Sequence, residues 1–302
     1  MNKKTATTLI FAVLVLFVFA WKISEKNIVP PSPSDRMLVT ASFYPLAFLA
    51  EEIGGNKVQV VNFTPTGAEP HEYEPSPRDM ANMERSRVLI VNGLGLEPWI
   101  LSVQKNINPQ TTFLLVAGEG KDISRKGDPH IWLSPAIMYG MAKKIALTFS
   151  EVDAANGATY LNNLEIFKNK INALGDEYRS GLSHCKSKSF VTSHNAFGYL
   201  ADNYGLEQIS IAGLSPDAEP SPKQLTDIVT FAKKNNVKYI FFESLASPEL
   251  SQMIADEIGA KTLVLNPLEG LTAEEERSGK NYLSIMRDNL ANLQTALSCS
   301  PR

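Results

Sequence analysis

Short apolar runs alternate with amphipathic stretches along the first half of the chain. The pattern predicts strands at residues 37–43, 57–63, 88–91 and 112–116, separated by helices at 46–53, 77–85 and 97–105. The second helix is predicted to have Ser76 as its N-cap and Pro77 as its first residue. The run 88–91, Val-Leu-Ile-Val, is apolar on both faces, which is typical of a buried parallel strand. Strands that alternate with helices in this way predict a parallel sheet with helices on both of its faces.

The second half of the chain repeats this plan. Its pattern predicts strands at residues 189–192, 207–211, 239–242 and 262–265, and helices at 196–204, 222–235, 248–258 and 280–297. The predicted fold class is therefore α/β, with two parallel-sheet lobes.

One long amphipathic segment lies between the two halves. Apolar residues recur every three or four positions from residue 156 to 183, which predicts a helix of roughly 28 residues, about 42 Å long. The face that we expect to be buried comprises Leu161, Leu164, Phe167, Ile171, Leu174, Tyr178 and Leu182. The predicted domains are an N-terminal lobe at 37–153, a linking helix at 154–184 that acts as a stiff backbone, and a C-terminal lobe at 185–302.

The first 36 residues differ in composition from the rest. Lys3 and Lys4 precede an apolar run at residues 9–21, which is short for a bilayer-spanning helix of ~20 residues and suits a secretory signal peptide. An uncleaved membrane anchor is the alternative. The Pro-rich residues 30–34 then predict an extended spacer. In either case we expect the protein to be periplasmic or otherwise extracytoplasmic, and attached to the cytoplasmic membrane if the anchor is retained.

Charge and cysteine usage narrow the class of protein. The chain has 29 basic and 32 acidic residues, a net charge of −3, and no basic run. It therefore lacks the basic patch that would attract nucleic acid or anionic lipid. Cys185 and Cys299 are the two cysteines, and in an oxidising compartment they suggest a single disulfide. Two unpaired thiols are the alternative.

Three of the four histidines, His71, His130 and His194, stand in short, distinctive motifs far apart in the sequence. Their spacing excludes a local zinc knuckle and favours a site assembled from distant loops. His71 and His194 follow predicted strands, at the edge of a parallel sheet where ligands bind. Although a lone histidine is more often structural, three converging imidazoles would select a transition metal, with zinc first among the candidates.

These motifs resemble the three signatures of the metal-binding solute-binding proteins of bacterial ABC transporters, the zinc and manganese group known as cluster A-I. They are PHEYEPSP at residues 70–77, DPHIWLSP at 128–135 and SHNAFGY at 193–199. Residues 241–244 and 281–286 are also similar, and the resemblance covers residues 37–298. It implies two α/β lobes joined by a backbone helix, with the metal in the cleft between them.

The resemblance also suggests which residues contact the metal. His71, His130 and His194 would be ligands, and residues 265–272 resemble the segment that supplies a glutamate in some zinc members, which makes Glu269 the fourth candidate. Manganese members typically carry a carboxylate where this chain has His194, and nitrogen donors favour zinc over manganese. We expect Glu243, at the end of a predicted strand, to orient an imidazole through its other ring nitrogen.

The sequence thus predicts a receptor that captures Zn²⁺ as transported cargo and delivers it to an ABC permease driven by a cytoplasmic ATPase. We expect a monomer without enzymatic activity, whose membrane contact is made through the permease or the N-terminal anchor. Affinity should fall below about pH 6, because protonated imidazoles do not bind metal. The same fold carrying manganese or ferrous iron is one alternative, and a secreted zinc hydrolase is another.

Overall fold

The computed structural model describes residues 36–120, 123–125 and 127–300. The predicted signal peptide or anchor and its spacer lie outside these residues, apart from Arg36. Among the described residues, no helix combines the length and the apolar character needed to cross a membrane.

The first four strands form one parallel sheet in the order β2-β1-β3-β4. Its strands are β1 (Met37–Ala41), β2 (Val58–Asn62), β3 (Val88–Val91) and β4 (Phe113–Val116). Helices α1 (Tyr44–Gly54), α2 (Pro77–Arg85) and α3 (Ile100–Asn106) make the crossovers. Every residue of β3 is buried, which confirms the prediction for this central strand. Helix α2 begins as the sequence indicates, with Ser76 as the N-cap in a capping box and proline in the first turn.

The next four strands form a second parallel sheet in the order β6-β5-β7-β8. Its strands are β5 (Ser189–Thr192), β6 (Glu207–Ser210), β7 (Tyr239–Phe242) and β8 (Lys261–Val264). The two sheets have the same strand order, and together they confirm the predicted α/β class with two lobes.

Two helices, rather than one, run between the sheets. Helix α4 (Pro135–Val152) is followed by a short 3₁₀ turn, Ala154–Asn156, and by α5 (Gly157–Gly181), the long linking helix. The prediction included α5 but omitted α4, although Ser134 caps α4 and a proline stands in its first turn. The buried face of α5 also differs from the prediction in the first turn of the helix. Tyr160 is fully buried there and Leu161 is 44% exposed, because the ring of Tyr160 packs against Phe149 of α4.

One face of the linking helix α5 is buried against residues of both halves of the molecule. Phe48 of α1 packs against Phe167 of α5 and against Tyr282, the first residue of the C-terminal helix Tyr282–Ala296. The hydroxyl group of Tyr178 donates a hydrogen bond to the backbone oxygen of Met286, 2.6 Å away. One continuous hydrophobic core therefore includes residues of both lobes. The domain boundaries at 37–153, 154–184 and 185–302 stay a prediction.

Five helices complete the second half of the chain. They are α6 (Gly198–Tyr204), α7 (Pro222–Lys234), α8 (Glu249–Ile258), α9 (Ala273–Arg277) and α10 (Tyr282–Ala296). The short helix α9 is absent from the sequence-based prediction. A disulfide joins Cys185, just before β5, to Cys299, just after α10, and this confirms the predicted pairing. The bridge fastens the end of the chain to the start of the second lobe.

Candidate metal centre

His71 lies on the loop that follows β2, at the carboxyl edge of the first sheet. The backbone of this loop is tied to the second lobe, because the amide of Gly67 donates a hydrogen bond to the backbone oxygen of Leu271 (2.9 Å). The amide of His71 donates to Oε1 of Glu69 (3.2 Å). The His71 side chain is 9% exposed, so it has more access to solvent than the two other imidazoles of the site.

His130 is held by a carboxylate in its own motif. Oδ1 of Asp128 lies 2.8 Å from Nδ1 of His130 and 3.0 Å from its backbone nitrogen. This arrangement places the ring proton on Nδ1 and leaves the lone pair of Nε2 free to bind a metal. The side-chain amide of Asn92, after β3, donates to the backbone oxygen of Pro129 (2.9 Å) and fixes the preceding residue.

His194 follows β5, at the corresponding edge of the second sheet. Its Nδ1 lies 2.5 Å from Oε1 of Glu243, which comes directly after β7. The hydroxyl group of Ser193 donates to the same carboxylate oxygen. This contact with Glu243 holds the His194 ring, and Nε2 of His194 lies 3.2 Å from that of His130.

Glu269 lies on the segment after β8, and its side chain is only 1% exposed. The backbone there is fixed by buried amides: Oδ1 of Asn266 accepts from the amide of Leu268 (2.7 Å), and Asn289 accepts from the amide of Asn266 (2.8 Å). The indole of Trp132 donates to the backbone oxygen of Pro267 (2.7 Å). This last contact connects the segment carrying Glu269 to the segment carrying His130.

The four predicted side chains converge on one point. Oε1 of Glu269 lies 3.3 Å from Nε2 of His71, 3.1 Å from that of His130 and 3.4 Å from that of His194. Nε2 of His130 lies 3.3 Å and 3.2 Å from those of His71 and His194. All four possible ligand atoms are within 4.8 Å of one another. A tetrahedral site with bonds of about 2.0–2.1 Å has edges of about 3.3 Å, so these separations fit a small divalent ion.

The charges of the cluster stabilise one another. Burial alone would lower the pKa of His130, but its hydrogen bonds with Asp128 and Glu269 outweigh burial and raise the pKa above its usual value. Burial also opposes protonation of His194, but the charges of Glu269 and Glu243 raise its pKa well above the usual value. Burial opposes ionisation of Glu269, yet the imidazoles hold its pKa well below the usual range. A divalent cation would take the place of these protons.

Two carboxylates at the site were not predicted from the sequence. Asp128 appeared only as part of a motif, and its spacing of two residues from His130 is the signal that could have identified its role. Glu69 lies beside Glu269 and is partly buried. Burial and the negative charge of Glu269 raise the pKa of Glu69 to about 9, so Glu69 is neutral at neutral pH.

Three further residues lie outside the cluster: the carboxylates Glu72 and Glu74, which are near His71 in the sequence, and the fourth histidine, His184. Glu72 and Glu74 are not among the described residues that could hold a metal ion together. His184 is exposed at the end of α5, and its backbone oxygen accepts a hydrogen bond from Ser300. The sequence-based interpretation left these three residues out of the ligand set.

Two parallel-sheet lobes on a linking helix, with three imidazoles and a carboxylate gathered at the ends of their strands, define the class of metal-binding solute receptors. The chain belongs to the family described as zinc-uptake complex component A, periplasmic, whose model matches residues 39–296. This confirms the resemblance seen in the sequence motifs.

Known proteins of this family are similar to the chain over most of its length. The high-affinity zinc uptake system protein ZnuA of Bacillus subtilis is 36% identical over 315 residues, covering 98% of this chain and 99% of the relative. The zinc-binding lipoprotein AdcA of Streptococcus pneumoniae is 37% identical over 277 residues. The match covers 86% of this chain and 55% of that longer relative.

Solved structures agree with the observed fold. The Zn(II)-bound ZnuA-like domain of Streptococcus pneumoniae AdcA superposes with a TM-score of 0.78 at 36% identity, covering 87% of this chain and 99% of that chain. The metal-dependent lipoprotein YcdH of Bacillus subtilis gives a TM-score of 0.78 at 39% identity, with the same coverage.

Proposed function

We propose that this protein is an extracytoplasmic receptor that binds one Zn²⁺ and delivers it to an ABC importer. The ligands are His71, His130, His194 and Glu269. The observation that carries this proposal is the set of donor separations, 3.1–3.4 Å between the carboxylate oxygen and the three imidazole nitrogens. These distances are close to the edges of a tetrahedral zinc site. Membership of a zinc-uptake family supports the same conclusion.

The donor atoms favour zinc over the other candidate cargoes. Manganese and ferrous iron prefer more ligands and, in the case of manganese, oxygen donors, whereas three of these donors are nitrogen. Three neutral imidazoles and one carboxylate leave the Zn²⁺ site with a net charge of about +1. Asp128 and Glu243 accept the Nδ1 protons of two of the imidazoles, which keeps their Nε2 lone pairs directed at the ion.

The fourth donor argues against a hydrolytic enzyme. Catalytic zinc sites leave one position for water, but the Oε1 atom of Glu269 reaches all three imidazole nitrogens. A site that is closed by four protein donors holds its ion and activates no water. This is the chemistry of a carrier.

Delivery requires a membrane partner. The relatives include a protein of a zinc uptake system and a lipoprotein. We propose that this chain acts as a monomer outside the cytoplasm, where it docks on a permease whose transport is driven by a cytoplasmic ATPase. The apolar run at residues 9–21 directs export and, if it is not removed, anchors the receptor in the membrane.

Competitive metal titration tests this proposal. Metal is removed from the purified protein with a chelator, and zinc and manganese are then titrated against a chromophoric chelator of known affinity. We expect one zinc per chain, bound far more tightly than manganese. His71→Ala should weaken zinc binding by at least roughly 100-fold, about 2.7 kcal/mol, through loss of a ligand.

The fourth histidine provides the matched control. His184→Ala changes the same residue type at an exposed position outside the cluster, so zinc affinity should stay at the wild-type value. Preferential manganese binding by the wild-type protein would refute the ligand assignment. Equal loss of affinity in the two alanine variants would refute the role of His71.

His194 is the residue that tests selectivity. His194→Asp replaces the nitrogen donor by oxygen, and the ratio of zinc to manganese affinity should therefore fall. An unchanged ratio would show that the choice of metal does not depend on this imidazole.

A further inference from the structure

One side chain outside the cluster joins the two lobes next to the metal ligands. Nη1 of Arg125 lies 3.0 Å from Oδ2 of Asp202, on α6 of the second lobe. Nε of Arg125 lies 3.3 Å from Oδ2 of Asp128 in the first lobe. The other oxygen of Asp128 is the one that accepts from the ring of His130. Arg125 therefore links α6 to the carboxylate that holds a metal-binding imidazole.

Helix α6 is also close in sequence to His194, the other fully buried imidazole of the site. It begins at Gly198, only a few residues after His194. The hydroxyl group of Tyr199, in the first turn of α6, donates a hydrogen bond to the backbone oxygen of Arg125 (3.0 Å). Both the side chain and the backbone of Arg125 are thus fastened to the helix that follows His194.

The chain leaves room for this guanidinium by having glycine at position 198. A Cβ atom built on Gly198 would lie 2.7 Å from Nη2 of Arg125, and closer still to Nε. Any larger residue would push the guanidinium away from Asp202 or Asp128. The glycine therefore permits the close packing of Arg125 on α6.

We propose that Arg125 is a positioning residue that latches the segment of His130 to the segment of His194 and so slows the release of zinc. This inference rests on the proposed function. Zinc leaves when an imidazole moves off the ion. Parting these two segments requires Arg125 to lose its contacts with Asp202 and Tyr199, while its contact with Asp128 stays within the segment of His130. Loss of the latch should therefore act on the dissociation rate more than on the association rate.

The expected effect is moderate, because Arg125 is 35% exposed and Asp202 is 54% exposed. Partly solvated ion pairs contribute modestly, so Arg125→Ala should release zinc about 3- to 10-fold faster than the wild-type protein. Asp202→Ala breaks only the contact between lobes and should release zinc faster by a smaller factor. Arg125→Lys, which can keep a single ion pair, should fall between wild type and Arg125→Ala.

The test is stopped-flow mixing of the zinc-loaded protein with excess chelator, which gives the dissociation rate directly. Gly198→Ala displaces the guanidinium without changing any charge, so it should accelerate release in the wild-type background and add nothing in the Arg125→Ala background. Lys223→Ala is the control, since Lys223 is exposed on α7 and pairs with Asp227, four residues along the same helix. Its rate should equal that of the wild type.

A wild-type rate in both Arg125→Ala and Asp202→Ala, with one zinc still bound per chain, would overturn the latch and leave the receptor function standing. Additive effects of these two substitutions would also overturn it, because residues of one latch must be coupled. If the wild-type protein binds no zinc, the proposed function itself fails. A poorly folded Arg125→Ala protein would not end the test, since Asp202→Ala and Gly198→Ala report on the same latch.

Discussion

The role of Glu243 can be tested by changing only its charge. In Glu243→Gln the side chain keeps its shape, and the amide oxygen can still accept the Nδ1 proton of His194. The negative charge that makes the imidazole a better donor is lost. In Glu243→Ala the acceptor is lost as well, so the buried Nδ1 of His194 and the partly buried hydroxyl group of Ser193 both lose a partner.

The two substitutions should differ in magnitude. Carboxylates that hold metal-binding histidines typically contribute 10- to 100-fold to metal affinity. Glu243→Gln keeps the hydrogen bond, so its loss should be near the low end, about 10-fold or 1.4 kcal/mol. Glu243→Ala lets the ring turn and should approach about 100-fold, or 2.7 kcal/mol.

Zinc affinity can be measured by competition with a chromophoric chelator at constant pH. Glu257→Gln is the matched control, because Glu257 is exposed on α8 and pairs only with Lys233 among the contacts described. Its affinity for zinc should be unchanged. Wild-type affinity in Glu243→Ala would refute the reasoning, and so would an equal loss in the control.

Three further predictions concern stability and pH. Replacing Cys185 and Cys299 by serine should lower the free energy of unfolding by about 4–5 kcal/mol in urea titrations, because the bridge spans 114 residues; a loss under about 1 kcal/mol would contradict this. As the pH is lowered, zinc affinity measured by titration should begin to fall while the pH is still above about 6.5, the ordinary pKa of an imidazole. The raised pKa values of the two buried imidazoles make protons compete earlier, and a pH-independent affinity would refute this. In thermal unfolding, Leu164→Ala should lower the free energy of unfolding by about 2–4 kcal/mol and Leu161→Ala by under about 0.5 kcal/mol, because only Leu164 is buried. Equal losses would argue against the observed buried face of α5.

Local signals in the sequence were enough for most of the architecture. The strand at Val88–Val91 is apolar throughout, and the helix at Pro77–Arg85 has a strong cap, so both were predicted with their observed bounds. Helix α4 has equally clear signals in Ser134 and the proline that follows, but these residues were interpreted only as part of a metal-binding motif. The choice between Tyr160 and Leu161 on α5 depended on contact with that missing helix.

The candidate site, like the fold, could be predicted from local sequence signals only in part. The three histidines could be recognised from their motifs, and the order of the strands explains why they meet. The burial of Glu269 depends on Asn266 and Asn289, which are distant in sequence from the imidazoles, so no local pattern indicates it. Glu69 meets Glu269, and Arg125 meets Asp202, only when the two lobes come together.

The four converging side chains come from positions 71 to 269, so the site exists only in the folded chain. Zinc therefore binds the native protein and not the unfolded one, and occupancy at 1,000 times the dissociation constant adds about 4 kcal/mol to stability. An empty receptor opens more often and is exposed to proteases for longer. We expect its lifetime in the cell envelope to follow the supply of the metal, so that the amount of receptor falls when zinc is scarce.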